Sequence, residues 1–172
     1  FDDDDPHALE AFLGRTSFTI HSTLQVSQPD ESLLMAAVRY RAAEIVAWLL
    51  QQGADVNYRA RFQFDTPDNP WHGTDEENDD VNAVFYAAQS AMASGNTEIL
   101  ELLLHAGADL TFVGRGGATV WTWAFNPEGL TSVQDGDEEP TEEGALAITK
   151  LLLAHGAGPI MDRGGTPVLF RA

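Results

Sequence analysis

Histidine is the side chain with the greatest potential for acid–base chemistry in this sequence, and its five copies lie in no catalytic motif. His105 and His155 each follow a leucine run, and His7 and His21 lie near the start of the chain. His72 lies in a stretch rich in carboxylates, where it could act as an acid or base if that stretch closed a pocket. The chain has no G-x-S-x-G, G-x-x-x-x-G-K or H-E-x-x-H pattern. We therefore predict no catalytic residue.

Two acidic stretches could attract cations, because hard cations such as Ca²⁺ and Mg²⁺ take oxygen ligands. They read TDEENDD at 74–80 and DGDEEPTEE at 135–143. Neither has the D-x-D-x-D-G spacing with a closing Glu that builds an EF-hand loop. The lack of cysteine in the sequence excludes disulfides and thiolate zinc sites. We expect no dedicated metal site and no cofactor.

The net charge of −18 arises from 27 Asp and Glu residues against 9 Lys and Arg residues. Four acidic residues lie in the first five positions, and seven lie in each of the stretches 65–80 and 127–143. Such charge repels nucleic-acid phosphates and anionic membranes. The longest apolar runs have six residues, as in 45–50, whereas a membrane-spanning helix needs about 20. We predict a basic protein or peptide as the partner, no nucleic acid, no membrane, and a cytoplasmic or nuclear location.

Three segments of the chain repeat one another around a glycine. They read EIVAWLLQQGADVN at 44–57, EILELLLHAGADLT at 98–111 and AITKLLLAHGAGPI at 147–160. Apolar residues eight, five and four positions before each glycine predict one buried stripe on a helix. The stripes are Ile45, Trp48 and Leu49; Ile99, Leu102 and Leu103; and Ile148, Leu151 and Leu152. Gly53, Gly107 and Gly156 suit a left-handed helix end, and Asp55 and Asp109 favour the turn that follows.

A second helix, rich in small residues, precedes each of these segments. SLLMAAVRYR begins at Ser32, with Ser32 or Asp30 as its N-cap. VFYAAQSAMASGN occupies 84–96, and TVWTWAF occupies 119–125. Alanines that would let a neighbouring helix approach closely are Ala36, Ala37, Ala87, Ala88, Ala91 and Ala124. Such pairs of short helices bury their apolar faces only by stacking on further copies.

The repeated unit resembles the ankyrin repeat, whose pattern runs T-P-L-H-x-A-A and ends L-L-L-x-x-G-A-D-V-N. The similarity is closest at 49–57 and 102–111, and TVWTWA (119–124) stands in the place of T-P-L-H-x-A. The resemblance implies an all-α ankyrin-repeat solenoid of stacked helix-turn-helix units with long acidic loops, over 32–172. Its repeats span about 32–57, 82–111 and 118–158, with a partial fourth copy at 164–172.

Two insertions interrupt the repeats, because ankyrin repeats recur near 33 residues whereas the glycines here lie 54 and 49 residues apart. The insertions occupy 62–81 and 127–143, and their Pro, Gly and Asp content predicts loops. Residues 1–31 form a leader or capping segment. PHALEAF (6–12) suggests one or two helical turns, and SFTIHSTLQV (17–26) alternates like a short strand. This leader could cap the first repeat or be a degenerate repeat.

The resemblance implies a protein-interaction module and not an enzyme, because ankyrin stacks bind partners through turn tips and the concave inner-helix face. The candidate contact residues are Arg39, Tyr40, Arg59, Phe62, Trp71, Phe112 and Arg115. The alternative is an enzyme or small-molecule binder in which the insertions close a pocket of aromatic rings and carboxylates. Trp121 and Trp123 would then line that pocket. A third possibility is one section of a longer solenoid whose binding site lies elsewhere.

Overall fold

The computed structural model describes residues 4–24, 31–63, 78–114, 119–125 and 141–158. These residues form mainly helices, with two short antiparallel strand pairs. The helices are α1 (Pro6–Leu13), α2 (Leu33–Arg39), α3 (Ala43–Gln51), α4 (Ala83–Ser94), α5 (Glu98–His105), α6 (Val120–Ala124) and α7 (Glu142–Ala154). The strands are β1 (Thr23–Leu24), β2 (Glu31–Ser32), β3 (Ala60–Gln63) and β4 (Asn78–Val81). None of the described helices has the length and apolarity needed to cross a membrane.

Side-chain N-caps start the first helix of each repeat, because a helix leaves its first amides without intrahelical acceptors. Ser32 Oγ accepts the amide hydrogen of Met35, which confirms Ser32 as a cap of α2. Asn82 Oδ1 accepts from Phe85 at the start of α4. Thr119 and Thr122 cap α6 reciprocally, each hydroxyl accepting from the other residue's amide. The T-V-W-T sequence at 119–122 therefore begins a helix, as expected from its alignment with the T-P-L-H part of the repeat pattern.

The glycine after each repeated segment adopts the left-handed conformation predicted for it. Gly53, Gly107 and Gly156 have φ values of 86°, 86° and 81°. Each donates its amide hydrogen to the carbonyl three residues back, and the following alanine donates five residues back, as in Leu49 accepting from Ala54. This pair of bonds satisfies carbonyls that the helix end would otherwise leave open. The three turns are therefore built alike, as the repeated sequence predicts.

The core lies between two rows of helices. One row is formed by α2, α4 and α6, and the other by α1, α3 and α5. Leu49, Leu103 and Leu152, four residues before the glycines, are completely buried, which confirms that part of the predicted stripe. The six alanines predicted at close helix contacts are all buried too. Small residues and a repeated leucine thus produce a stacked core.

The leader joins the stack through the side chain of Asp4, through helix α1 and through the β1–β2 pair. The carboxylate of Asp4 accepts the amide hydrogens of Glu44 and Ile45, at 3.1 and 3.0 Å. It therefore caps α3, whose own N-cap position holds Ala42 and makes no side-chain bond. Helix α1 packs on α3, as α3 packs on α5. The predicted helical turns are confirmed, and they extend the second row of helices by one member.

The strand predicted for 17–26 was wrong in extent. Among the described residues 17–24, Thr23 and Leu24 alone pair, with Ser32 and Glu31, because α2 begins directly after Ser32 and leaves no partner for the residues before Thr23. Upstream, the amide of Ser22 donates to the Thr19 carbonyl at 2.9 Å, and the amide of Thr19 donates to Ser22 Oγ at 2.8 Å. This local turn competes with an extended chain.

The prediction of loops throughout both insertions was also wrong, at their ends. In the first insertion, residues 78–81 form β4 and pair antiparallel with β3, so that Ala60 faces Val81 and Gln63 faces Asn78. In the second, α7 begins at Glu142, because Thr141 Oγ1 accepts the amide hydrogen of Gly144. Glu142 and Glu143 occupy the first turn, where negative charge is favoured by the helix dipole.

Candidate functional site

Arg39 and Tyr40 lie at the end of α2 and are held there by a carboxylate that the sequence patterns did not indicate. Glu31, in β2, is only 7% exposed. It accepts two hydrogen bonds from Arg39, from Nε to Oε1 at 3.0 Å and from Nη2 to Oε2 at 2.7 Å. The guanidinium also lies 5.0 Å from the centre of the Tyr40 ring. Tyr40 itself is 49% exposed, so this arrangement presents an aromatic ring beside an oriented arginine.

The ion pair also fixes the charge state of its surroundings. Burial alone would lower the pKa of Arg39, but the hydrogen bond and charge of Glu31 outweigh it and the pKa is raised. Tyr86, a buried residue of α4, has a pKa raised above its ordinary value by burial, with the charge of Glu31 adding to the effect and Arg39 opposing it. Arg39 therefore stays charged and Tyr86 stays neutral across the physiological range.

Arg59 and Phe112 form a second pair of predicted contact residues, on the turns of the first two repeats. The Arg59 guanidinium lies 4.3 Å from the centre of the Phe112 ring, within cation–π distance. Phe112 is only 8% exposed, and its ring centre lies 5.5 Å from that of Phe85. Phe112 thus serves as a buried support, and Arg59 is the exposed member of the pair.

Hydrogen bonds between side chains and backbone link the two turns. Asn57 Oδ1 accepts the amide hydrogen of Asp109 at 2.8 Å, and Asn57 Nδ2 donates to the Gly107 carbonyl at 3.3 Å. Asp55 and Asp109 accept the amides of Asn57 and Thr111, which confirms the predicted turns. The hydroxyl of Thr111 donates to Asp109 at 2.6 Å, and this bond is the main reason that the pKa of Asp109 lies below its ordinary range. The charge of Arg59 contributes to the same lowering.

The other predicted contact residues are described in part or not at all. Phe62 lies in β3, where its backbone pairs with Asp79, and its side chain lies outside the described part of the structure. Trp71 and Arg115 lie outside the described residues, as does His72. The structure therefore brings together Arg39 with Tyr40 and Arg59 with Phe112.

Sequence reasoning missed Glu31 and Asn57. Glu31 lies in β2 and Arg39 lies in α2, so no single helix or strand periodicity relates the two residues. Asn57 could have been found, since it ends the G-A-D-V-N sequence of the first repeat, where the second repeat has Thr111. The sequence signal for Asn57 was its position at the end of a repeated segment.

The tryptophans that could have lined a pocket belong to the core. Trp121 and Trp123 are 3% and 9% exposed. The Trp123 ring centre lies 5.6 Å from that of Phe85 and 6.0 Å from that of Tyr86. The indole Nε1 of Trp121 donates to the Gly158 carbonyl at 2.8 Å, which satisfies its polar atom. These rings stabilise the interface between the second and third repeats.

The described histidines, His7, His21, His105 and His155, are all exposed. His155 Nδ1 forms a hydrogen bond with the Leu151 carbonyl oxygen, and His105 Nδ1 forms one with the Glu101 carbonyl oxygen. Within the described ranges, no three or more His, Asp or Glu side chains lie together as a potential metal-binding group.

Comparison with known proteins agrees with this architecture. A family model described as three copies of ankyrin repeats matches residues 8–113, beginning within α1. Human "Ankyrin repeat and SOCS box protein 6" is 31% identical over 150 residues, an alignment that covers 73% of this chain and 35% of the relative. The protein of the same name from Pongo abelii is 30% identical with the same coverage. The chain thus spans about a third of the length of these relatives. With its phased glycines, helix caps and two rows of helices, the chain belongs to the ankyrin-repeat family.

Proposed function

We propose that this chain binds a basic protein or peptide through its turn tips, the concave face of its α2–α4–α6 row and its acidic insertions. Ankyrin repeats are in general protein–protein interaction modules, because stacked units present a rigid and extended surface. The chemistry of the partner follows from the charge of this chain.

The proposal rests on the way in which the first insertion is attached to the repeats. Strands β3 and β4 pair over four residues each, and the first pair, Ala60 with Val81, is buried in the core. The chain between them, residues 64–77, contains Asp65, Asp68, Asp75, Glu76 and Glu77 and no Lys or Arg. This acidic stretch therefore starts and ends at a fixed place on the repeat stack.

Charge at a fixed place can steer an oppositely charged partner toward one face of the protein. Complementary charge raises the association rate most strongly, and salt screens it over about 8 Å at physiological ionic strength. Two arginines of the first repeat would repel a basic partner only weakly, because Glu31 pairs with Arg39 and the charge of Arg59 interacts with that of Asp109. The acidic stretch would therefore attract a basic partner with little opposition from these two arginines.

Tyr40 supplies the contact that would hold the partner after the encounter. Exposed aromatic residues beside charge are frequent interface anchors, since they bury a large area with little loss of side-chain freedom. The 49% exposure of Tyr40 leaves about half of its surface available. Its neighbour Arg39 is oriented by two hydrogen bonds and can offer its remaining donors to backbone carbonyls.

The location of the charge can be tested with two triple variants of equal net charge. The first changes Asp75→Asn, Glu76→Gln and Glu77→Gln in the insertion. The second changes Glu10→Gln, Glu44→Gln and Glu98→Gln, which are exposed on α1, α3 and α5. The whole chain is used for affinity capture from native lysate, and the association rates of identified basic partners are then measured at two salt concentrations.

We expect the insertion variant to slow association several-fold at low salt. The variant with changes on α1, α3 and α5 should slow association much less. Equal slowing by both variants would assign the effect to net charge and would contradict the proposed surface. Capture of acidic proteins or nucleic acid, with no basic protein retained, would contradict the predicted partner chemistry.

The contact surface is tested separately with Tyr40→Ala. The matched control is Leu153→Ala, since Leu153 on α7 has a similar exposure of 48%. A contact residue should lose about tenfold in affinity, corresponding to about 1.4 kcal/mol, with an unchanged unfolding midpoint. Full affinity in Tyr40→Ala would exclude this part of the surface. The alternative of an aromatic pocket is not favoured, because Trp121 and Trp123 fill the core.

A further inference from the structure

Two exposed histidines from neighbouring repeats meet at the ends of their helices. His105 ends α5, and His155 directly follows α7. The centres of the two imidazole rings lie 6.0 Å apart, and the ring planes are inclined by 81°. No catalytic or structural role assigned above uses either ring.

Both rings are held in the same way by their own helices. His105 Nδ1 lies 2.8 Å from the Glu101 carbonyl oxygen, and His155 Nδ1 lies 3.0 Å from the Leu151 carbonyl oxygen. A carbonyl oxygen only accepts, so each Nδ1 carries the proton of its hydrogen bond. In the neutral imidazole, each Nε2 therefore keeps its lone pair. This is the arrangement by which proteins orient a histidine that binds a metal through its other nitrogen.

We propose that His105 and His155 together bind one divalent transition-metal ion of the Zn²⁺, Ni²⁺ or Cu²⁺ class through their Nε2 atoms. Zn–N bonds of about 2.0–2.1 Å in tetrahedral geometry place the centres of two imidazole rings about 5 Å apart. The observed 6.0 Å is about 1 Å longer, a difference that small adjustments of two exposed side chains can close on the nanosecond timescale. Two coordination positions remain for water or for a ligand of another molecule.

The electrostatic setting favours a cation at this place. Both rings lie at helix C-termini, where the peptide dipoles concentrate partial negative charge. The net charge of −18 raises the local concentration of cations around the whole chain. Imidazole nitrogen nevertheless selects among cations, because Mg²⁺ and Ca²⁺ prefer oxygen ligands. The site should therefore differ in preference from the acidic stretches 74–80 and 135–143.

The test measures Zn²⁺ binding by titration calorimetry on the chelator-treated whole chain, in excess Mg²⁺ to occupy the carboxylates. The variants are His105→Gln and His155→Gln, and the matched controls are His7→Gln and His21→Gln, which remove exposed histidines from outside the pair. Loss of even a partner that orients a ligand costs roughly 10- to 100-fold in metal affinity. Each pair variant should therefore bind Zn²⁺ at least about tenfold more weakly, whereas the controls should bind like the parent chain.

A second readout locates the metal directly. Paramagnetic Cu²⁺ should broaden the imidazole proton signals of His105 and His155 before those of His7 and His21. Because both rings of the pair are exposed, the metal-free variants should unfold at the parent midpoint, so lost binding cannot reflect lost folding. Unchanged Zn²⁺ affinity in the pair variants, or complete displacement of Zn²⁺ by Mg²⁺, would overturn the proposal. It stands independently of the proposed protein partner.

Discussion

Replacement of Leu103 by alanine tests the register of the whole stack. Leu103 is completely buried in α5, which packs against both α3 and α4. Its carbonyl also accepts the amide hydrogen of Ala108 in the following turn. The change removes three buried carbon atoms at about 0.8 kcal/mol each, which sets a floor of about 2.4 kcal/mol if the site collapses. A cavity that persists raises the loss toward about 5 kcal/mol.

Urea unfolding followed by circular dichroism measures this loss as a shift of the midpoint. We expect the slope of the transition to stay constant, since the exposed surface of the unfolded chain hardly changes. Leu153→Ala is the matched control, because Leu153 also lies near the end of a helix, α7, but is 48% exposed. The control should change stability by less than about 0.5 kcal/mol. A loss that small in Leu103→Ala, or equal losses in both variants, would refute the assigned register.

Three further perturbations test the turns and the third repeat. Gly144→Ala should destabilise by about 1–3 kcal/mol although alanine favours helices, because the new Cβ would lie 2.5 Å from the Met92 carbonyl oxygen; a higher melting temperature would contradict this contact. Asn57→Ala should cost about 1–3 kcal/mol in chemical unfolding, since two hydrogen bonds between turns are lost; a neutral change would show that the turns are held otherwise. The pKa of Asp109 is lowered on folding, chiefly by Thr111, so its contribution is present above the unfolded value of about 3.9 and is lost as the pH falls below it. The stability difference between parent and Asp109→Asn should therefore shrink in acid, and a difference independent of pH would refute this cause.

Elements decided by neighbours within a few residues could be predicted from the sequence. Gly53, Gly107 and Gly156 each follow a helix and adopt a positive φ. A Cβ is penalised in this conformation, so a glycine directly after a predicted helix indicates a left-handed turn. Ser32 caps α2 across three residues, and the burial of Leu103 was predicted from the helical spacing of the apolar residues in its segment. Each of these features depends on contacts between residues that are close in the sequence, and the glycine turn recurs in all three repeats.

Contacts between distant residues were decided only by the tertiary structure. Asp4 caps α3 forty residues away, Glu31 pairs with Arg39 across the start of α2, and His105 meets His155 because two repeats stack. No periodicity in the chain marks these partners, since the members of each pair lie in different elements and meet only when those elements pack. Strand β4 was hidden for the same reason: the acidic composition of 78–80 predicts a loop, but pairing with β3 and burial of Val81 outweigh it. Local sequence therefore determined the repeat, and packing over long distances decided which charged, aromatic and imidazole groups share a surface.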